Sequence, residues 1–156
     1  MTLDGSGRVV VQSGYSSIPG EGRVNISLAQ AAALGVATDG KSPAQIAAAL
    51  AENGANGIPL WESYVRGLDP SAAAAKPQAT SVMTGENVAL SLVGINVNEG
   101  AGATVSYRVF KAADLSSMSE WQVLDGSHAV DATAEVPRGA TDAKMFYRLV
   151  IDVKGY

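Results

Sequence analysis

One stretch, Asn53 to Pro70, constrains the fold more than any other, because it joins a turn, a short helix and a helix stop. Asn56-Gly57 is a turn dipeptide, and Pro59 suits the first position of a helix, where its missing N–H is not needed. The apolar residues of this stretch share one helix face, namely Ile58, Trp61, Val65 and Leu68. Gly67 can adopt the left-handed conformation that ends helices. The stretch therefore predicts a helix over residues 58–66.

Two shorter helices are predicted upstream of this stretch. Ser27 is suited to cap a helix that ends near Leu34. Ser42-Pro43-Ala44-Gln45 is a stronger start, because it combines a capping serine, a proline at the first position and a capping-box glutamine. Both helices are short and alanine-rich, so they need a packing partner, which the Trp61 ring of the third helix would supply. We predict a small helical unit of about three short helices over residues 28–70.

The segments that flank this helical unit are less regular. Residues 1–27 are rich in glycine and serine and contain two candidate short strands, Arg8–Gln12 and Arg23–Ser27. They are predicted to lead in from an upstream domain, with an exchanged assembly strand as the alternative. Residues 71–79 contain Pro77 and show no periodicity, which predicts a linker or an extended crossing segment.

Apolar and polar residues alternate from Thr80 onward, which is the period of a β-strand. The alternating runs cover residues 88–97, with a bulge at Gly94, and then residues 103–110, 121–123, 130–136 and 145–153. Several short strands at this spacing predict an antiparallel β-sandwich domain over residues 80–156. The predicted fold class is α+β, with a small helical unit followed by an antiparallel β-sandwich.

Composition and charge exclude several classes of partner and chemistry. The chain has 156 residues, a net charge of −4 and no basic cluster, which argues against nucleic acid or an anionic membrane as a partner. It contains no cysteine, so disulfides, thiolate catalysis and cysteine zinc sites are excluded. No apolar run approaches the roughly 18 residues of a membrane span. The first residues lack the features of a signal peptide, and we interpret the chain as a fragment of a longer exported protein.

Parts of the chain resemble the C-terminal region of large modular bacterial cell-surface proteins. The similar segments are Asn56-Gly-Ile-Pro-Leu-Trp-Glu-Ser-Tyr-Val-Arg-Gly-Leu-Asp-Pro70, Trp121 and Phe146-Tyr-Arg-Leu-Val-Ile-Asp-Val153. In those proteins, a helix that begins with NGLP or NGIP and ends in GLDP precedes a β domain with a closing FYR strand. The resemblance covers roughly residues 40–153. It implies export, an extracellular or cell-surface location and a structural or adhesive module, and it implies no catalytic residues.

The same helix motif is similar to the acidic calcium-binding repeats of secreted proteins, in which carboxylates wrap a cation before a helix. Calcium needs several oxygen ligands, which usually come from alternate carboxylates. The corresponding positions of this chain hold Glu52, Gly54, Asn56 and Leu60, with Glu62 near the end. Two acidic or amide oxygens remain at best, so we predict a capped turn here, with no metal and no cofactor.

Catalytic constellations are weak in this sequence. His128 is the only histidine and no serine lies in a nucleophile-elbow context, so a surface-loop histidine is favoured over a catalytic triad. The acids considered for glycoside hydrolysis lie beside turns or on polar strand faces, namely Asp114, Glu120, Asp125, Asp131 and Glu135. We therefore predict no catalytic residues.

Aromatic side chains raise one alternative function, because flat amphipathic rings stack well on sugars when they are exposed. The aromatics considered are Trp61, Tyr64, Tyr107, Trp121, Phe146 and Tyr147. Their positions on apolar faces favour the protein core. If the chain is a carbohydrate-binding module instead, the predicted ligand-binding residues are Trp61, Tyr64 and Trp121.

The sequence thus favours a non-enzymatic structural, assembly or anchoring domain of a secreted or surface-exposed bacterial protein. Its expected partners are other domains of a longer parent chain, or neighbouring copies joined through unpaired edge strands. A carbohydrate-binding module with a glycan partner is the alternative. A hydrolase is a third hypothesis, which needs two acids in a cleft or His128 beside a serine and an acid.

Overall fold

The fold is α+β, as predicted, with three short α-helices, one 3₁₀ helix (Glu99–Ala101) and antiparallel sheets among the residues that the structure describes. The structure is a computed structural model that describes residues 8–12, 23–112, 122–123, 127–137 and 146–155. The helices are α1 (Leu28–Ala33), α2 (Pro43–Leu50) and α3 (Leu60–Arg66). The strands are β1 (Arg8–Gln12), β2 (Arg23–Ser27), β3 (Gln78–Thr84), β4 (Asn87–Val93), β5 (Thr104–Ala112), β6 (Gln122–Val123), β7 (His128–Ala129), β8 (Ala134–Pro137) and β9 (Phe146–Lys154).

The chain divides into two compact units, each built from segments that are separate in the sequence. The first unit takes residues 1–76, 95–105 and 153–156, and the second takes residues 77–94 and 106–152. The predicted boundaries, with a linker over 71–79 and a β domain over 80–156, differ from this division. The chain returns to the first unit at residues 95–105 and again at residues 153–156, so segments that are distant in the sequence pack in the same unit.

The two upstream helices begin where the serine caps predict. The Ser27 hydroxyl accepts the backbone N–H of Gln30 at 3.2 Å, and the Gln30 side chain accepts the Ser27 N–H at 2.9 Å. Ser42 and Gln45 exchange the same two hydrogen bonds, at 3.3 and 2.8 Å. Each capping box satisfies two backbone donors that a helix start otherwise leaves unpaired. Sequence and structure therefore agree closely at both helix starts.

The predicted N-terminal strands form an antiparallel hairpin with the predicted bounds, in which Val10 lies opposite Asn25. The side chains of Val24 and Ile26 are fully buried in the first unit. The second strand of the predicted lead-in is therefore part of a core. The other buried apolar residues of this unit are Ala31, Val36, Ile46, Leu50, Trp61, Val65, Ala101, Val105 and Val153.

The second unit is a sandwich of two sheets. One sheet has the order β3-β4-β8, and the other has the order β6-β5-β7 with β9 also paired to β5. The two sheets share a core of Val88, Leu90, Tyr107, Val109, Ala134 and Val136, against which Leu92, Tyr147 and Leu149 pack. The buried hydroxyl of Tyr107 donates to the Ala132 carbonyl at 2.6 Å, so the polar end of this core side chain is satisfied. The inward positions come from alternate strand residues, as the period of two predicts.

Three details of the β prediction are wrong. The strand β3 begins at Gln78, two residues inside the predicted linker. Gly94 ends β4 and does not form a bulge within a longer strand, because its φ of +89° turns the chain out of the sheet. The run over residues 130–136 is a turn followed by β8, and the short β7 precedes it.

Candidate functional site

The turn before α3 is organised by a buried asparagine. Asn56 is 1% exposed, and its side-chain oxygen accepts the Ile58 N–H at 3.1 Å. Its amide nitrogen donates to the Ser63 hydroxyl at 3.0 Å and to the Ala75 carbonyl at 3.1 Å. One side chain therefore joins the turn, the helix and the segment that follows the helix. All of its bonds are internal, which explains why an amide is needed at this position.

Backbone contacts close the same turn on itself. The Ala55 N–H donates to the Pro70 carbonyl at 2.7 Å, and the Gly54 N–H donates to the Ile58 carbonyl at 2.9 Å. A Cβ atom built on Gly54 would lie 2.5 Å from the Pro70 carbonyl oxygen, so only glycine permits this approach. Pro59 occupies the N-cap position and not the predicted first helical position. The two ends of the motif thus lie side by side.

The end of α3 follows the predicted stop. Gly67 has a φ of +67°, and the Leu68 N–H donates back to the Ser63 carbonyl at 2.9 Å, which is a Schellman-type bond. The carbonyls of Val65 and Arg66 accept N–H groups from the segment at residues 96–98, at 2.9 and 3.0 Å. The last helical carbonyls are therefore satisfied by a segment that is distant in the sequence.

The residue after the stop also makes a local bond. The Asp69 carboxylate accepts the backbone N–H of Ser71 at 2.9 Å and the Ser71 hydroxyl at 2.6 Å. The hydroxyl bond and then the backbone bond lower the pKa of Asp69 below its usual value. These bonds hold the Asp69-Pro70 corner, where the chain turns back towards the start of the motif.

A buried ion pair also lies on α3. Glu62 is 1% exposed and Arg66 is 8% exposed, and the Arg66 guanidinium donates to the Glu62 carboxylate one helical turn earlier. Burial raises the pKa of Glu62 above its usual value, and the attraction and hydrogen bond of Arg66 offset only part of this effect. The two buried charges of the motif, Glu62 and Arg66, therefore form an ion pair with each other.

Replacement of Glu62 by glutamine is expected to change how stability depends on pH. Because folding raises the pKa of Glu62 above 4.5, the stabilising contribution of this group is full below that value and is lost as the pH rises through the folded pKa. The unsubstituted chain should therefore lose stability relative to Glu62→Gln as the pH rises from 4.5 to the folded pKa of Glu62. Above that pH the difference between their free energies of unfolding should stay constant. Urea denaturation of both proteins from about pH 4 to about pH 8 measures this difference. A difference that rises with pH would contradict the assignment.

The predicted ligand-binding aromatics do not form one exposed platform in the described part of the chain. Trp61 is 5% exposed, so its ring lies in the core of the first unit. Tyr64, three positions later on α3, is partly buried. Trp121 lies outside the described residues. The Trp61 ring is therefore used for packing in the core of the first unit.

The other candidate residues are dispersed or lie outside the described residues. His128 is partly buried on β7, and its ring stacks on Tyr107 with a centroid separation of 5.3 Å. Asp131 and Glu135 are exposed, and the remaining acids considered for hydrolysis are not described, namely Asp114, Glu120 and Asp125. Within the described ranges, no three His, Asp or Glu side chains lie close enough together to hold a metal ion.

The strand β3 is the most exposed strand of the second unit among those whose side chains the structure describes. All seven of its residues are exposed, with Val82 at 60% and Met83 at 55%. Its register places Ser81 opposite Leu90 and Met83 opposite Val88 on β4, so these residues share the face that bears the core. Leu90 and Val88 are buried while Ser81 and Met83 are not, which means that β3 extends past the edge of the packed core.

One edge of β3 has no strand partner in the described part of the chain, because β4 is its only neighbour in the sheet order. This free edge was not predicted from the sequence. The available signal was an uncharged run with two threonines and one valine between Pro77 and Gly85, followed by a two-residue loop. Alternating hydrophobicity could not reveal it, because neither face of the strand is buried.

Comparisons of the chain with known protein families, with curated proteins and with solved structures found no match in any of the three. No helix among the described residues is long and apolar enough to cross a membrane.

Proposed function

We propose that this chain is a non-enzymatic structural and assembly domain of a longer, exported bacterial protein. The observation that carries the proposal is the strand β3, which is seven residues long, exposed along its whole length and unpaired on one edge among the described residues. A sheet edge of this kind presents a row of backbone donors and acceptors that a further strand can pair with.

The composition of β3 supports this role. Proteins that must stay monomeric usually protect an edge strand with a charged residue, a proline or a bulge. Gln78–Thr84 contains no charge and no proline, and its pairing with β4 is continuous from Gln78 to Thr84. Val82 and Met83 also expose apolar surface on opposite faces, which a neighbouring strand would cover.

The motif around α3 supports a structural role for the first unit. Its distinctive polar side chains bond to one another or to the backbone, as the Asn56 contacts and the Glu62–Arg66 pair show. Side chains used in this way hold the chain together and leave few groups to bind a ligand. The resemblance to cell-surface proteins is the basis for proposing an exported parent chain.

Light scattering coupled to size-exclusion chromatography tests the assembly function. The mass of the unsubstituted chain is expected to rise above that of the monomer as concentration increases. Val82→Lys places a charge on the exposed edge and should return the mass to that of the monomer. Leu28→Lys is the matched control, because Leu28 is an exposed apolar residue of the first unit, at 40% exposure, and its replacement should have no effect. A monomer at every concentration, or equal masses for both variants, would overturn the proposal.

A further inference from the structure

We propose that two copies of this chain pair through β3 in an antiparallel arrangement centred on Ser81, forming a closed two-fold dimer. This inference rests on the proposed assembly function and names its partner and register. It follows from the direction of the free backbone groups of β3 and from the charges at its two ends.

The free backbone groups follow from the hairpin that joins β3 to β4. Its loop is the two residues Gly85 and Glu86, with Gly85 at a φ of +62°, as the first position of a type II′ turn requires. The residues that flank a two-residue loop form a hydrogen-bonded pair, and such pairs alternate along an antiparallel ladder. The backbone groups that point away from β4 therefore belong to Ala79, Ser81 and Met83.

These three residues permit a symmetric antiparallel pair. With Ser81 opposite Ser81 of the second copy, Ala79 lies opposite Met83, and every outward backbone group meets a complementary one. The side chains at Thr80 and Val82 also lie opposite each other, which is a favourable pairing for a sheet. An isologous contact of this kind uses the same patch twice and closes at two copies.

Charge distinguishes this register from its neighbours. Lys76 and Glu86 are exposed and lie five positions before and five positions after Ser81. In an antiparallel pair centred on Ser81, the end of β3 that follows Lys76 lies beside the end of the other copy's β3 that precedes Glu86, so opposite charges flank the uncharged strands. A shift of the centre by one residue moves each Lys76 two positions away from Glu86 of the other copy, and a parallel pair places each charge beside its like.

Disulfide trapping tests the register, because the chain has no cysteine of its own. Ser81→Cys places two cysteines directly opposite, with Cα atoms about 5.5 Å apart, which is within disulfide range. Thr80→Cys is the matched control, because its two copies would be diagonal neighbours about 7–8 Å apart, beyond that range. Mild oxidation should convert Ser81→Cys to a covalent dimer and leave Thr80→Cys mostly monomeric on a non-reducing gel. Equal yields for the two variants would overturn the register.

Charge exchange tests the same register without a covalent bond. Lys76→Glu and Glu86→Lys should each raise the dimer Kd by roughly threefold to thirtyfold, because each change replaces two attractive pairs by two repulsive ones. The double variant restores opposite charges and should return the Kd close to its original value. A double variant that is no tighter than the single variants would count against the inference.

The outcomes separate the inference from the proposed function. If the unsubstituted chain assembles and Val82→Lys prevents assembly, but Ser81→Cys is not trapped and the charge exchange fails, then β3 is an assembly edge with another register or partner. If the unsubstituted chain is a monomer at every concentration, both the inference and the proposed function fail. Assembly that continues beyond two copies also overturns the inference, because a two-fold pair leaves no further edge of β3.

Discussion

Replacement of Glu62 by leucine is expected to lower the free energy of unfolding by about 3–5 kcal/mol, because it leaves the Arg66 guanidinium buried without its carboxylate. Glu62 is 1% exposed, so water cannot take the place of the lost carboxylate without opening the packing around α3. Urea denaturation, with the slope of the transition checked for constancy, measures this loss.

The double variant Glu62→Leu/Arg66→Met is the internal control for this expectation. It removes both charges and fills their space with apolar side chains, so it should recover most of the stability that the single variant loses. Asp152→Asn is a second control, because the pair of Asp152 with Arg108 is partly exposed and its loss should cost no more than about 1 kcal/mol. If the double variant is as unstable as Glu62→Leu, the loss comes from packing and not from a charge without a partner.

Replacement of Gly67 by alanine is expected to destabilise the chain by about 2–5 kcal/mol, through two effects that add. The left-handed backbone at Gly67 costs alanine roughly 1–2 kcal/mol. The new Cβ atom would also lie 2.0 Å from the Asn96 carbonyl oxygen, and relieving such an overlap typically costs about 1–3 kcal/mol. Part of this overlap involves the segment at residues 96–98 that satisfies the end of α3, so local loosening of that segment should accompany the loss.

Gly57→Ala is the matched control for Gly67→Ala. Gly57 is also exposed and has a φ of +76°, but a Cβ atom built on it meets nothing within 4 Å. Gly57→Ala should therefore lower the free energy of unfolding only by the cost of a left-handed alanine, roughly 1–2 kcal/mol. The difference between the two midpoints in urea isolates the contact with Asn96. Equal losses of stability in the two variants would show that the segment at Asn96 moves away from the new Cβ atom without a measurable energetic cost.

The candidate assembly strand lies at a different place in the chain from the one that the sequence suggests. The glycine-rich start of the chain left an exchanged strand within residues 1–27 as an alternative. In the structure, β2 of that segment pairs with β1, and its Val24 and Ile26 are fully buried in the first unit. The exposed strand with a free edge in the described part of the chain is β3, whose first two residues fall in the predicted linker and whose other five fall in the predicted β domain. The assembly hypothesis therefore moves from the N-terminus to residues 78–84.

Local signals account for what the sequence analysis predicted well. The capping boxes at Ser42 and Ser27 and the left-handed stop at Gly67 involve residues within a few positions of each other, so the sequence displays both partners together. The strands β1, β2 and β5 were also predicted, because β-branched and alternating residues favour extended structure whatever they later pack against.

The sequence by itself determined the α+β class, the helix ends and the sandwich, because capping, turn chemistry and the period of two act between close neighbours. Only the tertiary structure decided that residues 95–105 join the first unit, that Asn56 bonds to Ala75, and that Glu62 and Arg66 are buried. It also decided that β3 lies past the core with a free edge. These features depend on contacts between segments that are distant in the sequence, and patterns of neighbouring residues do not specify such contacts.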